Sequence, residues 1–296
     1  MTALADSQAR LATLGVIVAV LGTMLGGTVD VLNKLLAQDI PVLQILWVRF
    51  LVFVPIAALL AWRPGQGVSW RSKRPVLQSV RALVLVAATW LFVSAMKDIA
   101  LADLHSVAAS SPLIVVALSV PMLKEPVGWR RWSAVAVGFA GMLVILRPGF
   151  QSVNAGIWLA LGGTLLWALY QILLRMVGRE EDAATSTVWT AAVGAAALTA
   201  IAPFDWVWPD TRAWVLLAAV ALFGAFAHYT WSRALVLMPA AALQPFTYLM
   251  IVYAVISGWL VFGDLPDRWT VLGAVIIVAS GLYAFHRERV RARAQT

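Results

Sequence analysis

The chain has 296 residues, of which 62% are hydrophobic and only 12% are charged. A soluble domain has roughly 45–50% apolar and about 25% charged residues, so this composition excludes a soluble protein and indicates a membrane protein. The formal net charge is +8 and the chain has no cysteine. The lack of cysteine excludes disulfides, thiolate chemistry and a cysteine-ligated metal.

The apolar residues are grouped into runs that are long enough to cross a bilayer, which takes about 20 residues in a helix. Charged and Pro/Gly-rich segments separate ten such runs, and we predict an all-α integral membrane protein with ten transmembrane helices. In chain order the runs are Thr13–Leu36, Val42–Trp62, Pro75–Ala95, Leu101–Leu123, Trp132–Leu146, Asn154–Val177, Thr185–Pro203, Ala213–Leu237, Ala240–Phe262 and Trp269–Phe285. The first run is long for the apolar part of a signal peptide, so we expect it to be retained as a helix.

The basic residues indicate how these spans are oriented. If the N-terminus is cytoplasmic, fifteen of the 22 Lys and Arg fall on the cytoplasmic side and five on the outer side, and Arg49 and Arg81 lie within runs. The positive-inside rule then predicts that both termini are cytoplasmic. This arrangement accounts for the positive net charge, so we expect the lipid bilayer and not nucleic acid as a partner.

The sequence contains an internal repeat. The segment Ala95–Glu125 returns about 139 positions later as Ala234–Asp264. The same register aligns Trp47 with Trp189, Thr23 with Thr164, and Lys34 with Arg175. We therefore predict two copies of one five-helix unit, residues 1–148 and 149–296. Because five is odd, the second copy must be inverted in the membrane, which is the architecture of secondary transporters with a substrate site near the midplane.

The repeated motifs resemble a known family. They are the Ala95 to Ala102 spacing, Glu125-Pro126 and Gly138-x-x-Gly141 in the first copy, and Ala234, Gly263-Asp264, Pro266 and Gly281 in the second. From about Leu11 to His286 the chain resembles the drug/metabolite transporter superfamily, and within it the EamA-type exporters. Its aromatic-rich spans are similar to those of aromatic amino acid exporters of the YddG type. The resemblance implies a bacterial inner-membrane protein that moves small polar or amphipathic metabolites.

Charged residues inside the first two runs are candidates for function. Asp30 lies about two turns inside its span, where an acid is costly and functional by default. Lys34 follows at i+4 in the favourable orientation, and Arg49 is expected at similar depth in the next helix. Two interpretations are open: a structural ion pair, or a proton-coupling role for Asp30 with Arg49 binding a substrate carboxylate. Two other polar residues are expected to be peripheral, with Arg81 reaching the cytoplasmic surface and His105 at the outer surface.

A second set of residues is expected to line the substrate cavity. Aromatic side chains would stack on the cargo, and hydroxyl or amide groups would bind its polar groups. The set is Thr28, Trp90, Ser111, Trp167, Tyr170, His228, Tyr229, Gln244 and Tyr248. Pro112 at the centre of the fourth run predicts a helix break of the kind found beside cavities. For each single tryptophan, a lipid-facing position is the alternative.

The sequence contains no Walker A loop for ATP and no HExxH motif, so we expect neither a cofactor nor a metal, and no enzyme activity. The favoured hypothesis is a secondary transporter or facilitator that exports small amphipathic metabolites, with amino acids, including aromatic ones, as the favoured cargo. Export of drugs or other metabolites is the alternative. Two hypotheses of another class are a membrane-embedded enzyme using Asp30 and His228 as acid and base, and a passive channel. Proton coupling, direction and oligomeric state stay open.

Overall fold

The computed structural model describes residues 2–63, 67–68, 70–124, 127–146, 154–237 and 248–293. The fold in these ranges is helical apart from two antiparallel two-residue strands, β1 (Trp62–Arg63) and β2 (Gly67–Val68). The helices are α1 (Thr2–Leu36), α2 (Val42–Ala61), α3 (Pro75–Ala95), α4 (Leu101–Ala108), α5 (Ser111–Leu123), α6 (Trp129–Leu146), α7 (Ala155–Val177), α8 (Ala183–Ile201), α9 (Thr211–Leu237), α10 (Leu249–Phe262) and α11 (Arg268–Arg293).

Seven helical segments of the described chain are long and apolar enough to cross a membrane. They are Thr13–Leu36, Val42–Ala61, Pro75–Ala95, Leu101–Leu123, Ala155–Val177, Ala183–Asp205 and Thr211–Thr230. Shorter apolar helices lie at Trp132–Leu146, Leu249–Phe262 and Arg268–Tyr283. Each predicted run overlaps one of these segments, although the start of the ninth run, residues 240–247, lies outside the described residues.

The fourth span is broken in the middle, as its proline predicts. Helix α4 ends at Ala108 and α5 begins at Ser111, with Pro112 in the first turn of α5. Proline is tolerated there because the first turn of a helix leaves its N–H groups without intrahelical partners. The two halves of this span can therefore take slightly different directions across the bundle.

Hydrogen bonds between connecting segments define the two ends of the bundle. At one end, Gln44 exchanges hydrogen bonds with the backbone of Val207, at 2.7 and 3.0 Å, and Asn154 donates to the carbonyl of Asp98 at 2.9 Å. We call this the upper end; α1 finishes there and α2 begins. At the opposite, lower end, the segment before α3 binds the turn between α7 and α8 through Glu181. The helices thus run alternately up and down.

The helices pack in a regular set of pairs. Helix α1 packs along α9, α3 along α7, α2 against α8, and α6 along α11. The α6–α11 contact is close enough to require glycine: a Cβ on Gly273 would lie 2.6 Å from the carbonyl oxygen of Gly141, and a Cβ on Gly141 would lie 3.0 Å from that of Gly273. Backbones that approach this closely gain dispersion contacts, which is how helices associate in lipid.

Among the described residues, the buried apolar side chains form two large clusters and one small one. One large cluster joins α1, α3, α4, α5, α6, α7, α10 and α11 and includes Met96, Ile99 and Leu104 near the upper end. A second joins α1, α2, α3, α8 and α9 and includes Leu36, Ile45 and Leu198. The cluster at the lower end is small and contains Ala57, Ala61, Val188 and Ala191. Much of the close apolar packing therefore lies around the connections of the upper end.

Arg81 does not reach the surface, so the expectation that it would do so is wrong. Only 1% of its surface is exposed. Its Nη2 donates to the carbonyl of Ser186 at 2.7 Å and to Thr190 Oγ1 at 2.8 Å, and Gln78 accepts two further bonds from the guanidinium. Helix α8 supplies acceptors at the depth of Arg81, so the side chain is satisfied without leaving the protein.

Glu181 holds the lower end together from the turn between α7 and α8. It accepts hydrogen bonds from Ser72 Oγ at 2.5 Å, from Gln78 Nε2 at 2.6 Å and from the backbone N–H of Arg74 at 2.9 Å. Partial burial opposes its ionisation, but the hydrogen bonds from residues 72–78 outweigh that effect and lower the pKa of this carboxyl group.

We predict that Glu181→Gln lowers the thermal stability of the purified protein at neutral pH. Because the folded-state pKa is lowered, the carboxylate stabilises the fold above the ordinary glutamate pKa of about 4.3, and this contribution is lost as pH falls through the folded-state value. The difference in melting temperature between wild type and variant should therefore shrink as pH is lowered. Glu180→Gln is the matched control, since its pair with Arg74 is exposed and such pairs contribute little. A difference that persists at low pH would contradict the assignment.

Candidate functional site

Arg49 lies on α2 where that helix packs against α9. Its Nε would be 3.4 Å from a Cβ placed on Gly224, so the guanidinium occupies space that a glycine leaves open. Arg49 is within electrostatic range of both Asp30 and His228. No hydrogen bond or ion pair joins it to another residue in the described part of the chain. It is thus a cation deep in a membrane bundle that has nearby charges but no described direct partner.

Three polar side chains of the spans retain accessible surface in the described structure. Arg49 on α2 and Tyr170 on α7 are half-buried, and His228 on α9 is exposed. The ring of Phe53 packs against His228 with centroids 5.4 Å apart and fixes its position on α9.

Asp30 pairs with a residue that sequence reasoning had placed at the surface. His105 Nε2 lies 3.1 Å from Asp30 Oδ2, and the two side chains are 12% and 22% exposed. The expectation that His105 lies at the outer surface is therefore wrong, and Asp30 does not take Lys34 or Arg49 as its direct partner. The upper half of α4 comes close enough to α1 to bring the histidine to the acid.

Lys34 pairs with the second half of the chain. Its Nζ lies 2.8 Å from Asp264 Oδ2 and 3.0 Å from the carbonyl oxygen of Ile99, and 4.7 Å from the centre of the Phe262 ring. The expected i+4 pair with Asp30 is not formed, because the lysine extends towards the upper end while Asp30 faces α4.

Thr28 joins α1 to α10. Its hydroxyl lies 2.8 Å from the hydroxyl of Tyr253. A Cβ on Gly27 would fall 2.2 Å from the Tyr253 ring, so the glycine allows the ring to lie against the α1 backbone. Sequence reasoning missed Tyr253, although a tyrosine in the otherwise apolar end of the ninth run was a visible signal.

A second group of predicted residues lies on α5 and α7. Ser111 is buried and accepts a hydrogen bond from Gln171 Nε2 at 3.1 Å. Trp167 stacks on Tyr170 with centroids 5.4 Å apart, and the Arg81 guanidinium lies 5.5 Å from the centre of the Tyr170 ring. Through Tyr170 this group contacts Arg81 and the buried polar network at the lower end.

The remaining predicted residues are not brought together with these groups by any described contact. Trp90 and Tyr229 are 40% and 44% exposed on α3 and α9. The hydroxyl of Tyr248 points to α11, since a Cβ on Gly281 would fall against it. Gln244 lies outside the described residues. No group of three metal-ligating side chains occurs within the described ranges.

A concavity of about 220 Å³ opens at the upper surface. It is lined by residues that include Asp39, Trp208, Asp210 and Arg212 from the connections of the upper end. It is separate from Arg49 and His228, and we do not assign it to the central site.

Comparison with known proteins agrees with this arrangement. The model of the EamA-like transporter family matches the chain twice, at residues 13–147 and 154–285. An S-adenosylmethionine uptake transporter of Rickettsia prowazekii is 27% identical over 263 residues, which are 88% of each chain. A riboflavin transporter of Vibrio cholerae is 31% identical over 192 residues, 62% of each chain. A pseudopaline exporter of Pseudomonas aeruginosa is 26% identical over 271 residues, 90% of this chain and 94% of the relative.

A solved crystal structure shares the fold, with a TM-score of 0.63 over 93% of this chain and 97% of the other at 19% identity. The two family matches fall on the two copies of the internal repeat and together span nearly all of the helical bundle. The family and the named relatives are transporters and not enzymes. The chain therefore belongs to the EamA-like transporter family and is a multi-span membrane transporter.

Proposed function

We propose that this protein is a secondary transporter of small amphipathic metabolites that carry an anionic group, with amino acids as the favoured class. Two inverted five-helix halves, residues 1–148 and 149–296, enclose one cavity that is exposed alternately to each side of a bacterial inner membrane. Ten spans and cytoplasmic termini complete the proposed topology. Arg49 carries the proposal, because it is a cation within a span that has no described direct partner, and we assign it to the wall of this cavity.

The packing of the helices supports an inverted repeat. A twofold axis that exchanges the halves would exchange α3–α7 with α1–α9, α3–α8 with α2–α9, and α5–α7 with α1–α10, and all six contacts are present. It would map α2–α8 and α6–α11 onto themselves, and these contacts are also present. The backbone agrees, since the described residues with positive φ are Lys124 (55°) and Gly263 (72°), which correspond under the repeat.

The chemistry of Arg49 favours an anionic group on the cargo. A charged side chain inside the membrane is costly and usually faces a cavity or a partner. The guanidinium fork binds a carboxylate through two parallel hydrogen bonds, and such charge-assisted bonds are stronger than neutral ones. Asp30, held by His105, and His228 lie close enough to adjust the field at this point.

The aromatic residues favour a cargo that also has an apolar or ring-containing part. Trp167 and Tyr170 form a stacked pair on α7, and Phe53 contacts His228 on the other side of the bundle. Aromatic surfaces of this kind bind planar or apolar groups. One relative is named for S-adenosylmethionine, which combines an α-amino acid group with an aromatic base, and another for riboflavin, which has a fused ring. Like S-adenosylmethionine, an aromatic amino acid has both an α-amino acid group and an aromatic ring.

We predict that Arg49→Gln weakens the apparent affinity for the transported anion by about ten- to a hundred-fold, the range for losing a hydrogen bond to a charged group. Arg49→Lys should be intermediate, because it keeps the charge but loses the planar fork. The measurement is saturable counterflow of labelled amino acids in proteoliposomes, run with and without a pH gradient. Arg71→Gln, on the exposed segment before α3, is the control. Flux that does not saturate would indicate a channel, and equal affinities for wild type and Arg49→Gln would remove Arg49 from the site.

We predict that cysteines at repeat-equivalent positions label from opposite sides of the membrane. The natural chain has no cysteine, so single variants report cleanly. Gln38 follows α1 and Arg179 follows α7, and both are exposed. Gln38→Cys should react with an impermeant maleimide added outside the cell, and Arg179→Cys only when the cytoplasmic face is accessible. Labelling of both from one side would contradict the inverted repeat.

A further inference from the structure

We propose that Lys34, Asp264 and the carbonyl of Ile99 form a releasable latch that closes the upper end of the bundle and must separate each time the cavity opens there. We call these three residues the Lys34 latch. The inference rests on the proposed alternating access. It assigns to the Lys34–Asp264 pair a role in the transport cycle, in addition to fixing the connection between α10 and α11.

In the Lys34 latch, one lysine side chain contacts two other segments of the chain. Lys34 is in the last turn of α1, Ile99 is in the connection between α3 and α4, and Asp264 follows α10. Lysine Nζ lies 2.8 Å from the Asp264 carboxylate and 3.0 Å from the Ile99 carbonyl oxygen. Lys34 and Ile99 belong to the first proposed half and Asp264 to the second. A relative movement of the halves at this end must therefore break or distort the pair.

The two partners differ in exposure in a way that suits release. The Lys34 side chain is 9% exposed and the Asp264 side chain 38%. If the acid leaves, water can solvate it at once, while the lysine keeps the carbonyl of Ile99, which belongs to its own half. An ion pair with one solvated partner contributes little net stability, so it biases a conformational equilibrium without locking it.

The connection that follows α10 has a defined backbone conformation at Asp264. Gly263 has a positive φ of 72° and ends α10, with its N–H bound to the carbonyl of Trp259. The N–H of Asp264 returns to the carbonyl of Gly258 at 3.1 Å. These two bonds close the end of the helix and fix the direction in which the chain leaves it. The backbone of Asp264 is thus positioned by the end of the helix, within reach of Lys34.

The latch lies over the packed upper end. Leu35 and Phe262, which neighbour Lys34 and Asp264 in sequence, both pack against the cluster around Met96 and Ile99. Separating the halves at this end would expose these apolar side chains, which opposes opening. In the sequence, the repeat also retains the sign of both charges: Lys34 aligns with Arg175, and Asp264 with Glu125.

The first test measures opening directly. A cysteine in place of Val31, which is 8% exposed within the upper cluster, reports access from the upper side by its rate of reaction with an impermeant maleimide. In proteoliposomes of the full chain, Asp264→Asn and Lys34→Gln should each raise that rate by about two- to five-fold, the effect of removing a half-exposed ion pair. Asp39→Asn, an exposed acid at the same end, should leave it unchanged. Unchanged rates in both latch variants, with monodisperse protein, would overturn the proposal.

The second test asks whether the pair must separate. Lys34→Cys and Asp264→Cys, made together, are joined by a bifunctional maleimide whose linker is cleaved by reductant. Saturable counterflow should fall to background when crosslinking is complete and return after cleavage. Full flux with complete crosslinking would show a permanent contact and overturn the latch while leaving the transporter intact. An absence of saturable flux in the wild type would instead refute the proposed function. The labelling test of the latch does not depend on flux, so the two failures can be told apart.

Discussion

A charged or polar side chain inside the bilayer must find its partners within the protein, and this constraint organises the whole bundle. Asp30 is paired with His105 on α4, Arg81 is surrounded by acceptors from α3 and α8, and Lys34 is held by Asp264 from the far half of the chain. The contacts of Asp30 with His105, of Arg81 with α8 and of Lys34 with Asp264 each join parts of the chain that are distant in sequence. Apolar packing alone allows many arrangements of similar helices, so these polar contacts help to select one.

The elements were largely predictable from sequence, because the length of an apolar run and the self-similarity of the chain are local or linear signals. The broken fourth span was predictable as well, since Pro112 marks it. The partners of the charged residues were not. Asp30 has Lys34 one turn away and an i+4 rule favours that pair, but a histidine 75 positions further along the chain is closer in the fold. Arg81 was misplaced for the same reason, because its acceptors lie on another helix.

The candidate site could be predicted only in part, because the helices are surrounded by lipid and not by water. In water, polarity distinguishes the outer face of a helix from its packed face. In lipid both faces are apolar, so a tyrosine or tryptophan gives no indication of which way it points. Thr28, Ser111 and Tyr170 proved to contact other polar or aromatic groups of the bundle, but Tyr248 faces α11. Tyr253, which contacts Thr28, lies five residues after Tyr248, which immediately precedes α10.

The two proposed halves differ in charge, and this difference bears on how one site could serve both sides of a membrane. The second copy has Gln171 in place of Asp30 and Ala191 in place of Arg49, so the arginine is supplied once. Gln171 makes a neutral bond to Ser111, and Ala191 is buried against α2. In the proposed inverted arrangement, the two ends of the bundle would open by exchanging corresponding helix contacts. Under the same proposal, the single arginine would give the cargo one anchoring point on α2 while the helices around it rearrange.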